Sequence, residues 1–351
     1  MIEVRVPGKL FIAGEYAVLE PGGAAVLVAV DRFVTARLIP RTDHRITVIS
    51  TVTHHRPVEI THGHPDPRLA LVLAAIDVCH RLVTETGSGT TGFDLTIESE
   101  LDDITSGIKF GLGSSGAVTI AVVRALSELY DLGSDTDRTL KLALLAAISV
   151  DPSGSGGDLA ASLLGGWVAY TAPDRDHYAE QLHTGRPIAS LLDTPWPHLS
   201  AVHVPAPREL HLLAGWTGSA VSTRNLVADF RSRMNEAHHR FVADSNTCVA
   251  ALVTALRSGD DTAVSHCIEQ SARILHTYTS SLNLDLQTPV LTALRHLAHN
   301  LGIAAKSSGA GGGDCGIALA PSPLIPALAA AWHTAGIHSL NLTVADRRSS
   351  S

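Results

Sequence analysis

Lys109-Phe110-Gly111-Leu112-Gly113-Ser114-Ser115-Gly116 runs straight into an apolar stretch with helical spacing, 117–132. A glycine-rich turn that opens a helix presents backbone N–H groups at the positive end of the helix dipole, and together these attract anions. Ser114 and Ser115 stand at the expected cap, and Lys109 precedes the turn. Phosphate is the natural guest. The string also satisfies G-x-G-x-x-G at Gly111, Gly113 and Gly116, and so do Gly311, Gly313 and Gly316. A dinucleotide fingerprint should follow a buried strand that opens a βαβ unit. Here Ser99-Glu100-Leu101-Asp102-Asp103-Ile104-Thr105-Ser106-Gly107 comes first, polar and loop-like. No G-x-x-x-x-G-K-[ST] string occurs either, so the phosphate site is of another type.

Upstream, 1–40 reads as strands with a turn at Glu20-Pro21-Gly22-Gly23 and β-branched runs at 26–30 and 33–39. Residues 43–62 continue strand-like, 68–86 has helical spacing, and 93–98 alternates as a strand. Downstream, 140–150 reads as a helix. A second glycine turn follows, Asp151-Pro152-Ser153-Gly154-Ser155-Gly156-Gly157-Asp158, then a short helix over 159–164 and a strand over 167–171. Residues 172–198, rich in Pro, Asp and His, suggest a surface crossover and a domain boundary. A strand at 210–216 precedes helical patterns at 220–243, 244–258, 261–282 and 287–300. Strand, glycine loop and strand follow at 303–306 and 316–320, then a helix at 324–335, a last strand at 340–344 and a polar tail at 347–351. Helices and strands mix without strict alternation, which indicates α+β architecture in two lobes.

Composition narrows the function. A chain of 351 residues can bury a large core in one large or two medium domains. A net charge of −8 with no Lys/Arg block excludes a basic nucleic-acid face. No apolar run reaches transmembrane length, and the strand-like N-terminus is no signal peptide, so a cytoplasmic protein without membrane partners is expected. Cys79, Cys248 and Cys267 fall in helical patterns and read as buried thiols, while Cys315 sits in a glycine loop. Among 19 histidines, His54-His55, His62-x-His64 and His238-His239 invite a metal reading, but none lies in H-E-x-x-H and loop or exposed helix surrounds them.

Three glycine-rich stretches also carry charge or hydroxyl. They are Pro7-Gly8-Lys9-Leu10-Phe11-Ile12-Ala13-Gly14-Glu15-Tyr16-Ala17-Val18-Leu19, the opening string, and Lys306-Ser307-Ser308-Gly309-Ala310-Gly311-Gly312-Gly313-Asp314-Cys315-Gly316. In this order they resemble the three motifs of the GHMP kinases, over residues 5 to 320. Within that superfamily the strings are most similar to the phosphomevalonate kinase branch, as is Ser155-Gly156-Gly157-Asp158-Leu159-Ala160. Mevalonate kinases usually lack the lysine that Lys109 supplies here.

The resemblance implies a two-lobed GHMP kinase fold. A ribosomal-protein-S5-like lobe would span 1–185 and a ferredoxin-like lobe 186–351, with the active site between them. It implies ATP and Mg²⁺ as cofactors, 5-phosphomevalonate as small-molecule substrate, and a monomer or homodimer. Lys109, Gly111, Leu112, Gly113, Ser114, Ser115 and Gly116 would cradle the ATP phosphates, with Ser115 also on Mg²⁺. Lys9 and Asp158 would be catalytic, and Gly14, Glu15, Tyr16, Ser155, Ser308, Gly309, Ala310 and Gly311 would meet the acceptor. Trp216-Thr217-Gly218-Ser219 would close the site. Several residues keep more than one reading. Lys9 is a catalytic cation or a solvated lysine, and Asp158 is a base, a partner of the lysine or a helix cap. Tyr16 is pocket wall or core, and Lys109 meets either the acceptor phosphate or ATP. The alternatives in function are a mevalonate kinase or another small-molecule kinase of the superfamily, and a non-catalytic sensor on the same fold. A dehydrogenase is a distant third.

Overall fold

A computed structural model describes residues 1–60, 66–102, 109–218, 223–313 and 315–346. His62, His64, Ser219, Asp314 and the tail at 347–351 lie outside them. The first lobe is built on one seven-stranded sheet. Its axis is β2 (Ala24–Arg41), with β1 (Ile2–Ala13) antiparallel along one edge. On the other edge β5 (Gly92–Ser99) takes the Val34–Arg41 end and β6 (Trp167–Thr171) the Ala24–Val28 end. β3 (Ile46–Ser50) and β4 (Val58–Glu59) extend the sheet beyond β5, and β7 (Ser200–Val204) extends it beyond β6.

The two runs read at 26–30 and 33–39 are thus one strand. Asp31, the first of the two polar residues between them, is occupied by the returning C-terminal segment: it accepts from Thr343 N and Thr343 Oγ1, each at 2.7 Å. β1 also departs from simple alternation. It alternates at first, then is buried continuously from Val6 to Ala13. Helices α2 (Ser114–Leu129) and α4 (Gly157–Leu164) pack on this stretch, as do α9 (Asp261–Ser281) and β9 (Ala304–Ser308) from the second lobe. Lys9 therefore lies in the middle of the molecule.

Helices α1 (Ala70–Glu85) and α3 (Thr136–Val150) complete the layer around α2. The segment at 172–198 is not a surface crossover. It forms α5 (Arg175–His183) and α6 (Ile188–Asp193), and Tyr178 stacks on Trp196 at 3.6 Å with both rings buried. Apolar residues hidden among Pro, Asp and His anchor it to the first lobe. The expected division at 185/186 falls between these two helices, and β7 joins the first sheet beyond that point.

The second lobe comprises β8 (Leu210–Trp216), α7 (Thr223–Ser232), α8 (His238–Ser258), α9, α10 (Pro289–His299), β9, β10 (Cys315–Pro321), α11 (Ile325–Thr334) and β11 (His338–Leu340). Its strand order, β11-β8-β10-β9, is ferredoxin-like and antiparallel throughout. The periodicity at 220–258 placed one helix end at 243/244, whereas the chain breaks at 233–237 and α8 runs unbroken through 244. Val344 does not extend β11; it bridges to Val30 on β2. Successive residues of β10 serve two cores. Ile317 and Leu319 join the large core shared with the first lobe, and Ala318 and Ala320 join the core under α10 and α11.

Candidate active site

The glycine turn ahead of α2 lies directly over β1, because Lys9 N donates to Leu112 O at 2.8 Å. Gly111 and Gly113 both take φ +77°, a left-handed conformation that glycine adopts without steric cost. Gly113 is itself the cap residue, so Ser114 and Ser115 are the first helical residues rather than the cap. Among the described residues no side chain caps the helix, which leaves the leading N–H groups to the cleft. Leu112 turns its side chain into the core, so its N–H is what it can offer a phosphate.

Two further glycine contacts place the charged pair. A methyl group at Gly113 would lie 2.6 Å from Lys9 Cε, and one at Gly116 would lie 2.6 Å from Asp158 Oδ2. Lys9 and Asp158 therefore flank the same first turn of α2, each passing where a Cβ would otherwise stand. Lys9 is only 8% exposed, and its Nζ lies 5.1 Å from the centre of the Phe11 ring. The solvated-lysine reading of Lys9 is excluded by this burial.

A cavity next to this turn is lined by Lys9, Gly111, Glu15, Tyr16, Ser155, Ser308, Gly309 and Ala310, joined by Phe11, Leu19 and Val227. All three motifs and the Ser155 loop thus converge on one space. A second cavity, sharing Gly154 with the first, is lined by Ser115, Gly116, Asp158 and Arg175. Lys109 is exposed, pairs through its backbone with Asp102 in an isolated β-bridge, and lines neither space. Gly14 and Gly311 also stay outside both. A Cβ on Gly14 would meet Ala24 O at 2.1 Å, and one on Gly311 would meet Leu286 O at 2.9 Å, so these glycines serve close packing.

Several polar groups in the first cavity also tie the lobes together. The Glu15 carboxylate pairs with Lys306, whose ammonium also donates to Ser307 O at 2.7 Å. The two partners are 3% and 1% exposed and stand 291 residues apart in sequence. Ser308 Oγ donates to Phe11 O and accepts from Phe11 N, both at 2.9 Å, which uses most of its hydrogen-bonding capacity. Tyr16 serves both of its expected roles: it lines the cavity, and its ring sits 4.4 Å from that of Phe230. Its hydroxyl donates to Ala310 O at 2.6 Å. Burial, helped by the Glu15 and Asp229 carboxylates, pushes the Tyr16 pKa upward, so it remains a donor at neutral pH. Cys315 begins β10, and its thiol donates to Phe110 O at 3.0 Å, while Trp216 packs edge-on against Phe110 at 5.1 Å. The third motif thereby braces the start of the second.

Two features of this site are not legible in the sequence: the pairing of Lys306 in the third motif with Glu15, and the place of Arg175 beside Asp158. Neither has a local signal, since both depend on contacts between distant segments.

Two lobes meeting over a glycine-rich helix N-terminus, with a lysine and an aspartate against its first turn, define a small-molecule kinase site. The chain belongs to the GHMP kinases: their N terminal domain matches residues 70–166 and their C terminal domain residues 252–338. The chain is 42% identical to the phosphomevalonate kinase of Streptomyces sp. (strain CL190), over 97% of this chain and 96% of that one. A solved Streptococcus pneumoniae phosphomevalonate kinase, in complex with phosphomevalonate and AMPPNP, superposes with a TM-score of 0.88 at 30% identity, covering 98% of this chain and 100% of that one. The mevalonate kinase of Pyrococcus abyssi (strain GE5 / Orsay) is 25% identical over 92% of this chain and 89% of its own.

Proposed function

We infer that this protein transfers the γ-phosphoryl group of ATP to the phosphate of 5-phosphomevalonate, yielding 5-diphosphomevalonate and ADP in the route to isoprenoids. The observation that carries this reading is the 42% identity to a phosphomevalonate kinase over nearly the whole of both chains. The geometry agrees with it. Lys9 stands in the wall between the glycine turn and the space formed by Ser155, Ser308 and Ala310.

An oxygen of the acceptor phosphate attacks the γ-phosphorus. The bond to the β,γ-bridging oxygen breaks, and the electron pair leaves on ADP. Such transfer is mostly positioning and neutralisation of charge. The acceptor phosphate has a second pKa of about 6, so at neutral pH it attacks mainly as the dianion and no base is required. The N–H groups leading α2 hold the nucleotide phosphates, and the Lys9 ammonium screens repulsion between donor and acceptor. Lys109, exposed and two residues ahead of Gly111, adds positive charge on the approach to the glycine turn. Asp158 orients groups at the turn rather than taking a proton.

The Ser115 hydroxyl and the Asp158 carboxylate border one space, and hard oxygen donors of this kind suit Mg²⁺. Ser115 would hold the ion through its hydroxyl, and a divalent cation held there would supply charge neutralisation for the phosphates. Purified protein with Mg·ATP should release ADP with 5-phosphomevalonate and far more slowly with mevalonate, homoserine or galactose. Turnover on mevalonate but not on its phosphate would replace this reading with that of a mevalonate kinase.

A further inference from the structure

Arg175, the first residue of α5, is 4% exposed, and the transfer scheme above does not use it. Its guanidinium donates to three backbone carbonyls. Nε reaches Pro152 O at 3.1 Å, Nη1 reaches Pro173 O at 3.4 Å, and Nη2 reaches Leu19 O. Burial opposes its charge most and Arg231 opposes it further, while Asp176 and Glu20 favour it from a distance, with no carboxylate hydrogen-bonded to it among the described residues. Burying a cation without a counter-ion is costly. What offsets that cost here is a planar fork of donors, which suits carbonyls converging from separate segments.

The segments concerned are walls of the site. Pro152 belongs to the loop that carries Gly154 and Ser155 and leads into Asp158. Leu19 closes the turn that follows Glu15 and Tyr16. Leu19 and Ser155 line the first cavity from their two segments, and Arg175 itself lines the second cavity beside Asp158.

We propose that Arg175 is a positioning residue for the acceptor side of the site: its guanidinium holds the 151–156 loop to the 17–19 turn and so sets the width of the cavity between them. The proposal rests on reading that cavity as the acceptor pocket. None of the three carbonyls belongs to α2, so the backbone N–H groups that lead this helix should stay in place for the nucleotide phosphates, although Arg175 itself borders the second cavity.

Arg175→Lys keeps the charge but gathers its donors on one atom, which cannot span the same carbonyls; Arg175→Gln removes the charge as well. Both are compared with wild type for KM of each substrate and for backbone amide exchange followed by mass spectrometry. The KM for 5-phosphomevalonate should rise about tenfold or more while the KM for ATP changes less than about twofold. Amides in 151–156 and 17–20 should exchange faster together, with those of 117–129 unchanged. If Arg175→Gln does not fold, the lysine variant decides alone. An unchanged acceptor KM, equal rises in both KM values, or faster exchange in only one of the two segments overturns the proposal. Exchange is read without substrate. Faster exchange in both segments therefore supports the clamp even if the wild type ignores 5-phosphomevalonate, a result that would count against the acceptor assignment alone.

Discussion

Lys9 and Asp158 press on opposite parts of the same helical turn, yet the chemistry asks different things of them. With a dianionic acceptor, a cation between two phosphates lowers the barrier directly, whereas a base has no proton to remove. Lys9→Met should therefore lower kcat by about two to three orders of magnitude, the scale on which a lost electrostatic donor is felt. Lys109→Met should also lower kcat by more than Asp158→Asn, whose loss should be about tenfold, below the roughly 10²–10⁴-fold that a lost general base costs. Steady-state kcat at saturating substrates checks the ranking, and an Asp158→Asn loss equal to or above that of Lys9→Met would restore the base role. The sequence announced these residues clearly because each lies in or beside a glycine-rich string. It could not show that Gly113 and Gly116 are needed for the close approach of Lys9 and Asp158, since that depends on β1 and α4 meeting α2 in space.

At the scale of elements, the junction between β1 and β9 does most to hold the site together. Glu15–Lys306, Ser308 on the Phe11 backbone and Tyr16 on Ala310 all cross between the first and third motifs. Removing one partner of a buried ion pair leaves the other charge uncompensated, which typically costs about 3–5 kcal/mol. Lys306→Met should destabilise the protein on that scale in urea unfolding, and adding Glu15→Gln should recover part of the loss; a single-variant change under about 1 kcal/mol would refute an essential junction. Most elements were legible from periodicity, including α1, α2 and the β9–β10 pair. The exceptions have physical causes. Asp31 seemed to split β2 because its partner, Thr343, lies at the far end of the chain. Residues 172–198 looked like loop because Tyr178 and Trp196, which anchor them, are sparse among polar neighbours.

For the molecule as a whole, a core shared by both lobes makes the fold and the site interdependent. It also buries acidic groups in neutral form. Burial pushes the Cys79 thiol up to about 12 and, with smaller contributions led by Cys267, Cys248 up to about 11; Tyr170 is shifted upward by burial as well. Unfolded thiols lose their protons near pH ~8.5, so above that pH the unfolded chain binds fewer protons than the folded one. Stability should be complete below that range and decline as pH rises towards the folded values of about 11 to 12. The urea midpoint should be lower at pH ~10.5 than at ~7.5, and an unchanged or higher midpoint would contradict the burial of these groups as neutral species. The central claim concerns which atom receives the phosphoryl group. Phosphorus NMR of the product formed from Mg·ATP and 5-phosphomevalonate tests it most directly. Two mutually coupled doublets from a new phosphoanhydride, beside those of ADP, are predicted; a new uncoupled phosphomonoester resonance would mean that a hydroxyl is the acceptor and would contradict the account.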